Sequence, residues 1–234
     1  MIVDTFVGRN FLRLHVSKAM IICHGFPYER GSVIDKGYGE IAELFSGIEP
    51  TIVFDFSGCG NSKGYFSIRN WVEDLERIAR KFRRVSILGY SMGALVAMKT
   101  APFLRNLEKL ILVAPPLPEI FEISRLKEMH SHALEIIRIG SFEEFSKEVI
   151  ELQSEDLLKP LRNLNSEKLV VHGTKDEIVP YECGLKVFKA LNEPKSFLKV
   201  VNGDHFLRRN ERVMQKVLSW FKGEIKDREI EITV

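Results

Sequence analysis

Short apolar runs alternate with longer amphipathic stretches along this chain, and that alternation constrains its fold more than any other feature. The runs fall at 19–23, 51–56, 85–88, 109–114, 168–172 and 196–201. Strands covered on both faces are near-continuous in Val, Ile and Leu, because neither side meets water. Between them lie helical stretches at 32–45, 68–82, 92–101, 181–191 and 209–221. In the second of these, Trp71, Leu75, Ile78, Ala79 and Phe82 keep the three-and-four spacing of one buried helix face. The pattern predicts an α/β fold, with a mostly parallel central sheet flanked by helices. Residues 2–16 are expected to form one or two antiparallel strands at the sheet edge, and the sheet is expected to be short of an edge strand there.

One stretch breaks the alternation. From 117 to 164 no strand is evident, while Phe142, Phe145, Val149 and Leu152 recur along one helical face and Ile120, Ile123 and Met129 suggest another. The stretch opens after Pro115-Pro116-Leu117-Pro118 and closes near Pro160. It divides the chain into a core, 1–116 with 165–234, and a small helical lid, 117–164. The tail from Arg228 to Val234 alternates polar and apolar residues, as a half-buried strand does. It is expected to add to a sheet edge, or to pair with another subunit in a homodimer.

Composition removes several classes of function. A net charge of +2 is too small to make nucleic acid or an anionic membrane the main partner. The densest basic run, Arg80-Lys81-Phe82-Arg83-Arg84, falls where a helix should end, and cations there complement the helix dipole. No transmembrane segment is expected, since no apolar run approaches the roughly 20 residues that span a bilayer. The N-terminus lacks a basic-then-apolar signal pattern, so the expected location is the cytoplasm. Three scattered cysteines, Cys23, Cys59 and Cys183, fit reduced thiols. Gln is scarce, only Gln153 and Gln215, beside abundant Lys, Arg and Glu, which leans towards a thermophilic source. No ligand spacing of His, Cys or acidic residues calls for a metal, and no cofactor is expected.

The chemistry is concentrated at Val85 to Leu95, where an apolar strand runs into Gly89-Tyr90-Ser91-Met92-Gly93 and then into a helix of small residues. A strand–G-x-S-x-G–helix order builds a sharp turn from which the serine projects, the glycines leaving room for crossing backbone. A serine hydroxyl is a poor nucleophile until a histidine takes its proton and an acid orients that histidine. Among six histidines, His205 lies between the last core strand and the final helix, where a loop reaches back over the sheet edge. His24 and His172 end strands and read as structural, His15 falls in the N-terminal region, and His130 and His132 read as solvated lid residues. For the acid, Asp176 follows a strand and the Gly173 turn, at a strand's carboxyl end where α/β sites form. Glu177 and Asp204 rank below it. The oxyanion needs two preorganised donors. The Met92 N–H at the helix start is one, and the Phe26 N–H after the first parallel strand is the other, since Pro27 has none. The glycine-rich turn Gly58 to Gly64 has neither phosphate-loop spacing and reads as packing under the site. Cys59 has no elbow or evident base and reads as a spectator thiol.

With His24-Gly25-Phe26, Asp55 to Ser62, Gly89 to Gly93, the Asp176 loop and Gly203-Asp204-His205 in this order, the chain resembles serine hydrolases of the α/β-hydrolase fold, of the compact esterase and monoacylglycerol-lipase-like type. The resemblance implies a nucleophile, acid and base in the order Ser91, Asp176, His205. It implies hydrolysis of a small-molecule ester through an acyl-enzyme, with an apolar or aromatic acyl group if Phe121, Phe142 and Phe145 face the site. A thioesterase or small amidase or peptidase shares that chemistry. A ligand receptor, or a cofactor-free lyase or acyltransferase, shares only the scaffold.

Overall fold

A computed structural model describes residues 4–7 and 17–234. Eight strands form one sheet in the order β1-β3-β2-β4-β5-β6-β7-β8. They are β1 (Asp4–Val7), β2 (Lys18–Cys23), β3 (Thr51–Phe54), β4 (Arg84–Tyr90), β5 (Leu107–Val113), β6 (Glu167–Gly173), β7 (Lys195–Val201) and β8 (Glu229–Thr233). Only β1 runs antiparallel, against β3; every other pairing is parallel. One antiparallel edge strand is therefore present, and the rest of the expected 2–16 region lies outside the described residues. The alternating tail is β8, paired with β7 of its own chain.

Parallel neighbours need crossover connections, and helices supply them. These are α1 (Tyr38–Ser46), α2 (Ile68–Ala79), α3 (Met92–Thr100), α4 (Ile123–Ala133), α5 (Phe142–Gln153), α6 (Tyr181–Ala190) and α7 (Glu211–Phe221). Strand residues alternate between two apolar layers. Ala19, Ile21 and Cys23 pack with α2, α3 and α6, whereas Met20 and Ile22 pack with α1 and α7. Helix α1 starts later than its apolar pattern, at Tyr38, because Gly37 at φ 89° breaks the backbone before it. Helix α2 stops at Ala79, before the basic run. Arg80 there pairs with Glu76 at 2.8 Å, and Arg84 opens β4 and pairs with Glu108 at 3.0 Å.

The excursion between β5 and β6 is helical. Helix α5 begins with a capping box, Ser141 with Glu144, and its Phe145, Val149 and Leu152 are buried as the spacing predicts. Glu148 on the same helix accepts from the N–H groups of Ile68 and Arg69, both at 2.8 Å. A carboxylate thus satisfies open donors at the start of α2 and docks the insertion on the core. On α4 the buried positions are Leu126, His130 and Ala133, while Ile123 of the expected stripe is exposed. His130 is a correction to the sequence reading. It is buried against the Phe145 ring with Nε2 2.8 Å from the Gly140 carbonyl, because the α4–α5 turn folds over it.

Candidate active site

Ser91 sits between β4 and α3 at φ 52°, ψ −121°, a backbone that a non-glycine residue holds only at a cost of about 1–3 kcal/mol. Surrounding contacts impose it. The Ser91 N–H donates to the Val113 carbonyl at 2.9 Å, closing the turn on β5. A Cβ on Gly89 would lie 2.6 Å from Ala94 Cα, and one on Gly93 would overlap the carbonyl oxygens of Cys23 and His24. Both positions demand glycine, and the second brings the loop after β2 against the start of α3.

The three residues selected from sequence meet at the carboxyl ends of β4, β6 and β7. The Ser91 Oγ lies 3.0 Å from His205 Nε2, and His205 Nδ1 lies 2.8 Å from Asp176 Oδ2. The other Asp176 oxygen accepts from the N–H groups of Ile178 and Val179, at 2.9 and 2.7 Å. The β6 and β7 loops are stitched together: Lys175 N–H donates to the Gly203 carbonyl and Asn202 N–H to the Thr174 hydroxyl, each at 2.9 Å. Burial alone would raise the Asp176 carboxyl. Hydrogen bonding and charge from His172, His205 and the Val179 N–H outweigh it and hold the group well below the usual carboxylate range. Asp176 is therefore an anion opposite the His205 ring. The rivals lie elsewhere: Glu177 is exposed, and Asp204 accepts from the Phe206 N–H in its own turn at 2.8 Å.

The loop 24–27 is equally constrained. His24 is fully buried, its Nδ1 2.7 Å from the Gly25 carbonyl and its Nε2 accepting from the Phe56 N–H at 3.0 Å. Gly25 N–H donates to the Tyr38 hydroxyl at 2.9 Å. Among the described residues, neither the Phe26 nor the Met92 N–H has a protein acceptor. Both residues line one cavity of about 230 Å³ with Ser91. Its other walls include Pro116, Ile120, Phe121, Met129 and Val179, with Tyr28, Arg125, Glu128 and His132 as its polar lining. Of the three phenylalanines weighed for this role only Phe121 reaches it; Phe142 and Phe145 pack around His130. A larger open groove of about 610 Å³ between Tyr65 and Glu151 contains none of these groups.

Sequence reading missed several supporting side chains. Tyr90 donates its hydroxyl to the His205 carbonyl. Arg125 of α4 donates to the Ile178 carbonyl, tying the insertion to the Asp176 loop. His172 lies beside Asp176. Of these the Tyr90 position, next to Ser91, carried a signal, but nothing in the sequence pairs its hydroxyl with the His205 carbonyl 115 residues away. The Gly58 to Gly64 turn packs around Asp55, which accepts from the N–H groups of Val33 and Asn61. Cys59 is buried and its thiol is pushed up by that burial, away from nucleophile range. Among the described residues no cluster of His, Cys, Asp or Glu is placed to hold a metal ion, and no helix is long and apolar enough to cross a membrane.

The Alpha/beta hydrolase family profile matches residues 20–214, which carry most of the sheet and Ser91, Asp176 and His205. The chain belongs to that family. An uncharacterized protein, R595, of Acanthamoeba polyphaga mimivirus is 26% identical over 224 residues, 87% of this chain and 71% of its own. Among solved structures, the Paleococcus ferrophilus monoacylglycerol lipase superposes with a TM-score of 0.73 at 15% identity, covering 96% of this chain and 100% of that one. Est1E from Butyrivibrio proteoclasticus, solved with ferulic acid bound, gives 0.72 at 18%, covering 95% and 94%. At such identities the likeness is one of fold.

Proposed function

We propose that this member of the alpha/beta hydrolase family is a serine hydrolase of carboxylic esters with short-to-medium or aromatic acyl groups. The observation that carries the proposal is the line Ser91 Oγ, His205 Nε2 and Nδ1, Asp176 Oδ2, opening on a cavity that also holds two unpaired N–H groups. Ser91 attacks the ester carbonyl as its proton passes to His205 Nε2. Asp176, held as an anion, fixes the tautomer and balances the imidazolium. The Phe26 and Met92 N–H groups receive the oxyanion. Collapse breaks the C–O bond, and His205 returns the proton to the leaving alcohol. Water, deprotonated by the same histidine, then releases the acid and frees Ser91.

The insertion acts as a lid in this reading. Ile120, Phe121 and Met129 wall the cavity, and α4 holds the Asp176 loop through Arg125. At roughly 30 Å³ per water-sized group, about 230 Å³ holds on the order of eight such groups. Acyl chains from butyrate to octanoate are therefore expected to be the best p-nitrophenyl ester substrates, with palmitate poor. Thioesters and small amides remain the alternative within the same chemistry. A homodimer through the C-terminal strand would use the outer edge of β8. The test is the ester series from acetate to palmitate, wild type beside Ser91→Ala, with fluorophosphonate labelling. Ser91→Ala should lower kcat on the order of 10⁴-fold or more. Labelling of Ser91 without ester turnover would move the substrate class, and neither labelling nor turnover would overturn the proposal.

A further inference from the structure

The reaction proposed above uses one histidine, yet a second stands against the same carboxylate. His172 occupies β6 four residues before Asp176, and both side chains are fully buried. Its Nε2 is 3.0 Å from the Val179 carbonyl oxygen and 3.4 Å from Asp176 Oδ2, the oxygen that also faces His205. Two acceptors surround that nitrogen, so the ring proton belongs on Nε2. Among the described residues the opposite nitrogen, Nδ1, has no hydrogen-bond partner. The backbone of α6 lies against it, so closely that a Cβ on Gly184 would overlap the ring and stand 2.9 Å from its Cγ. Tyr181 packs on the ring edge with centroids 5.8 Å apart. The ring therefore has one orientation and one tautomer that satisfy its surroundings.

We infer that His172 is a positioning residue for the proposed reaction, a fixed N–H that holds the Asp176 carboxylate and its loop in the orientation His205 requires. The carboxylate is then surrounded on both oxygens. Ile178 and Val179 N–H groups hold Oδ1, His205 and His172 flank Oδ2, and the same His172 proton grips the Val179 carbonyl, closing the loop on itself. The hydrogen bond goes to Val179, and at 3.4 Å the contribution to Asp176 is chiefly electrostatic. The site needs the arrangement because Asp176 must remain an anion beside a ring that gains and loses charge in each cycle. Tyr90 on β4 and Tyr28 after β2 also feel the Asp176 charge, and Arg125 of α4 is held on the Ile178 carbonyl of the same loop. Burial raises both phenols and the Asp176 charge adds to it. Both phenols are neutral there, and among the described residues the two histidines bring ring nitrogens within 3.4 Å of this oxygen.

His172→Phe keeps the ring volume and removes the donor; His172→Gln keeps an N–H at about the same reach. In metal sites, partners that orient a ligating side chain cost about 10–100-fold when lost, and an effect of that order is expected for a partner that orients Asp176. With a p-nitrophenyl ester and concentrations set by fluorophosphonate titration, His172→Phe should lower kcat by about that factor and change KM by less than about twofold. Losing a donor beside the anion leaves its charge less compensated and favours the imidazolium it faces, so the acid limb of kcat should move to higher pH; His172→Gln should restore both. The His205 Nδ1–H proton resonance should shift in His172→Phe and return in the Gln variant. Should the Phe variant fail to fold, His172→Leu replaces it. Unchanged kcat, acid limb and Nδ1–H resonance, whatever the loss of thermal stability, would overturn the inference. If the wild type neither turns over esters nor takes the label, the ester-hydrolase reading falls, and the resonance still decides whether His172 positions the Asp176–His205 pair.

Discussion

Acidification should destabilise this protein through His24 before the depressed Asp176 carboxyl is protonated. The imidazole is fully buried, with the Phe56 and Trp71 rings 5.0 Å away, and Nε2 accepts from a backbone N–H that has no alternative. A proton on Nε2 would set two donors face to face. Burial first, with the Lys36 charge adding to it and the Gly25 carbonyl and Asp55 opposing, brings the ring from 6.5 down to about 4. Between those values the unfolded chain binds the proton and the folded chain does not, so stability falls as pH falls through this window and levels off below it. At about 1.4 kcal/mol per pH unit, the loss is about 3 kcal/mol, a large part of an ordinary domain's 5–15 kcal/mol. Asp176 acts in a different window. Its depressed carboxyl contributes stability that is fully present above about pH 4 and is lost only below it. Urea unfolding followed by Trp71 and Trp220 fluorescence at pH 7, 6, 5 and 4 measures the slope. His24→Gln, which can still accept from Phe56, should lack the His24 share of it. Parallel stability curves for the two proteins, or His24 ring resonances that titrate near pH 6.5, would refute the reasoning.

Three further outcomes follow from packing. Gly93→Ala should drive the loop after β2 away from α3, since the new methyl meets two backbone carbonyl oxygens that cannot yield. We expect ester turnover to fall by about 100-fold or more, with destabilisation of about 1–3 kcal/mol, read by kinetics and thermal melts. Tyr90→Phe leaves the His205 carbonyl without its hydroxyl partner and should cost about 1–3 kcal/mol in urea unfolding, with turnover reduced roughly tenfold. Glu148→Ala frees two N–H groups at the start of α2 and should lower the unfolding free energy by about 1–2 kcal/mol, with faster hydrogen exchange at Ile68 and Arg69.

Local chemistry made much of the molecule legible. Strands β2 to β7 appear as apolar runs because both faces of each are covered, and their ends shifted by a residue or two, outward where hydrogen bonding outlasts the apolar pattern as in β4 and inward in β3, which stops at Phe54. The elbow was readable because its glycines sit where backbone crosses backbone, a demand that is written at the position itself. Asp176 and His205 were readable because each follows a strand at the end of the sheet where sites form. Helix boundaries were less so: α1 begins at Tyr38 because one glycine turns the chain, although its apolar pattern starts earlier.

What the sequence alone determined, then, is an alternating α/β chain with a serine at a strand-to-helix elbow and an aspartate and a histidine on the loops that reach it. Tertiary structure decided the rest, because contacts between distant segments leave no periodic trace. His130 was expected in solvent and is buried, since the turn after α4 closes on it. Phe121 walls the cavity from the turn before α4, whereas Phe142 and Phe145 lie on α5 and pack around His130. His172 read as a buried or loop-supporting residue at a strand end, and it is buried. Only the Gly173 turn, which folds Asp176 and Val179 back over it, and Gly184 of α6, which fixes its ring, give it a carboxylate to hold.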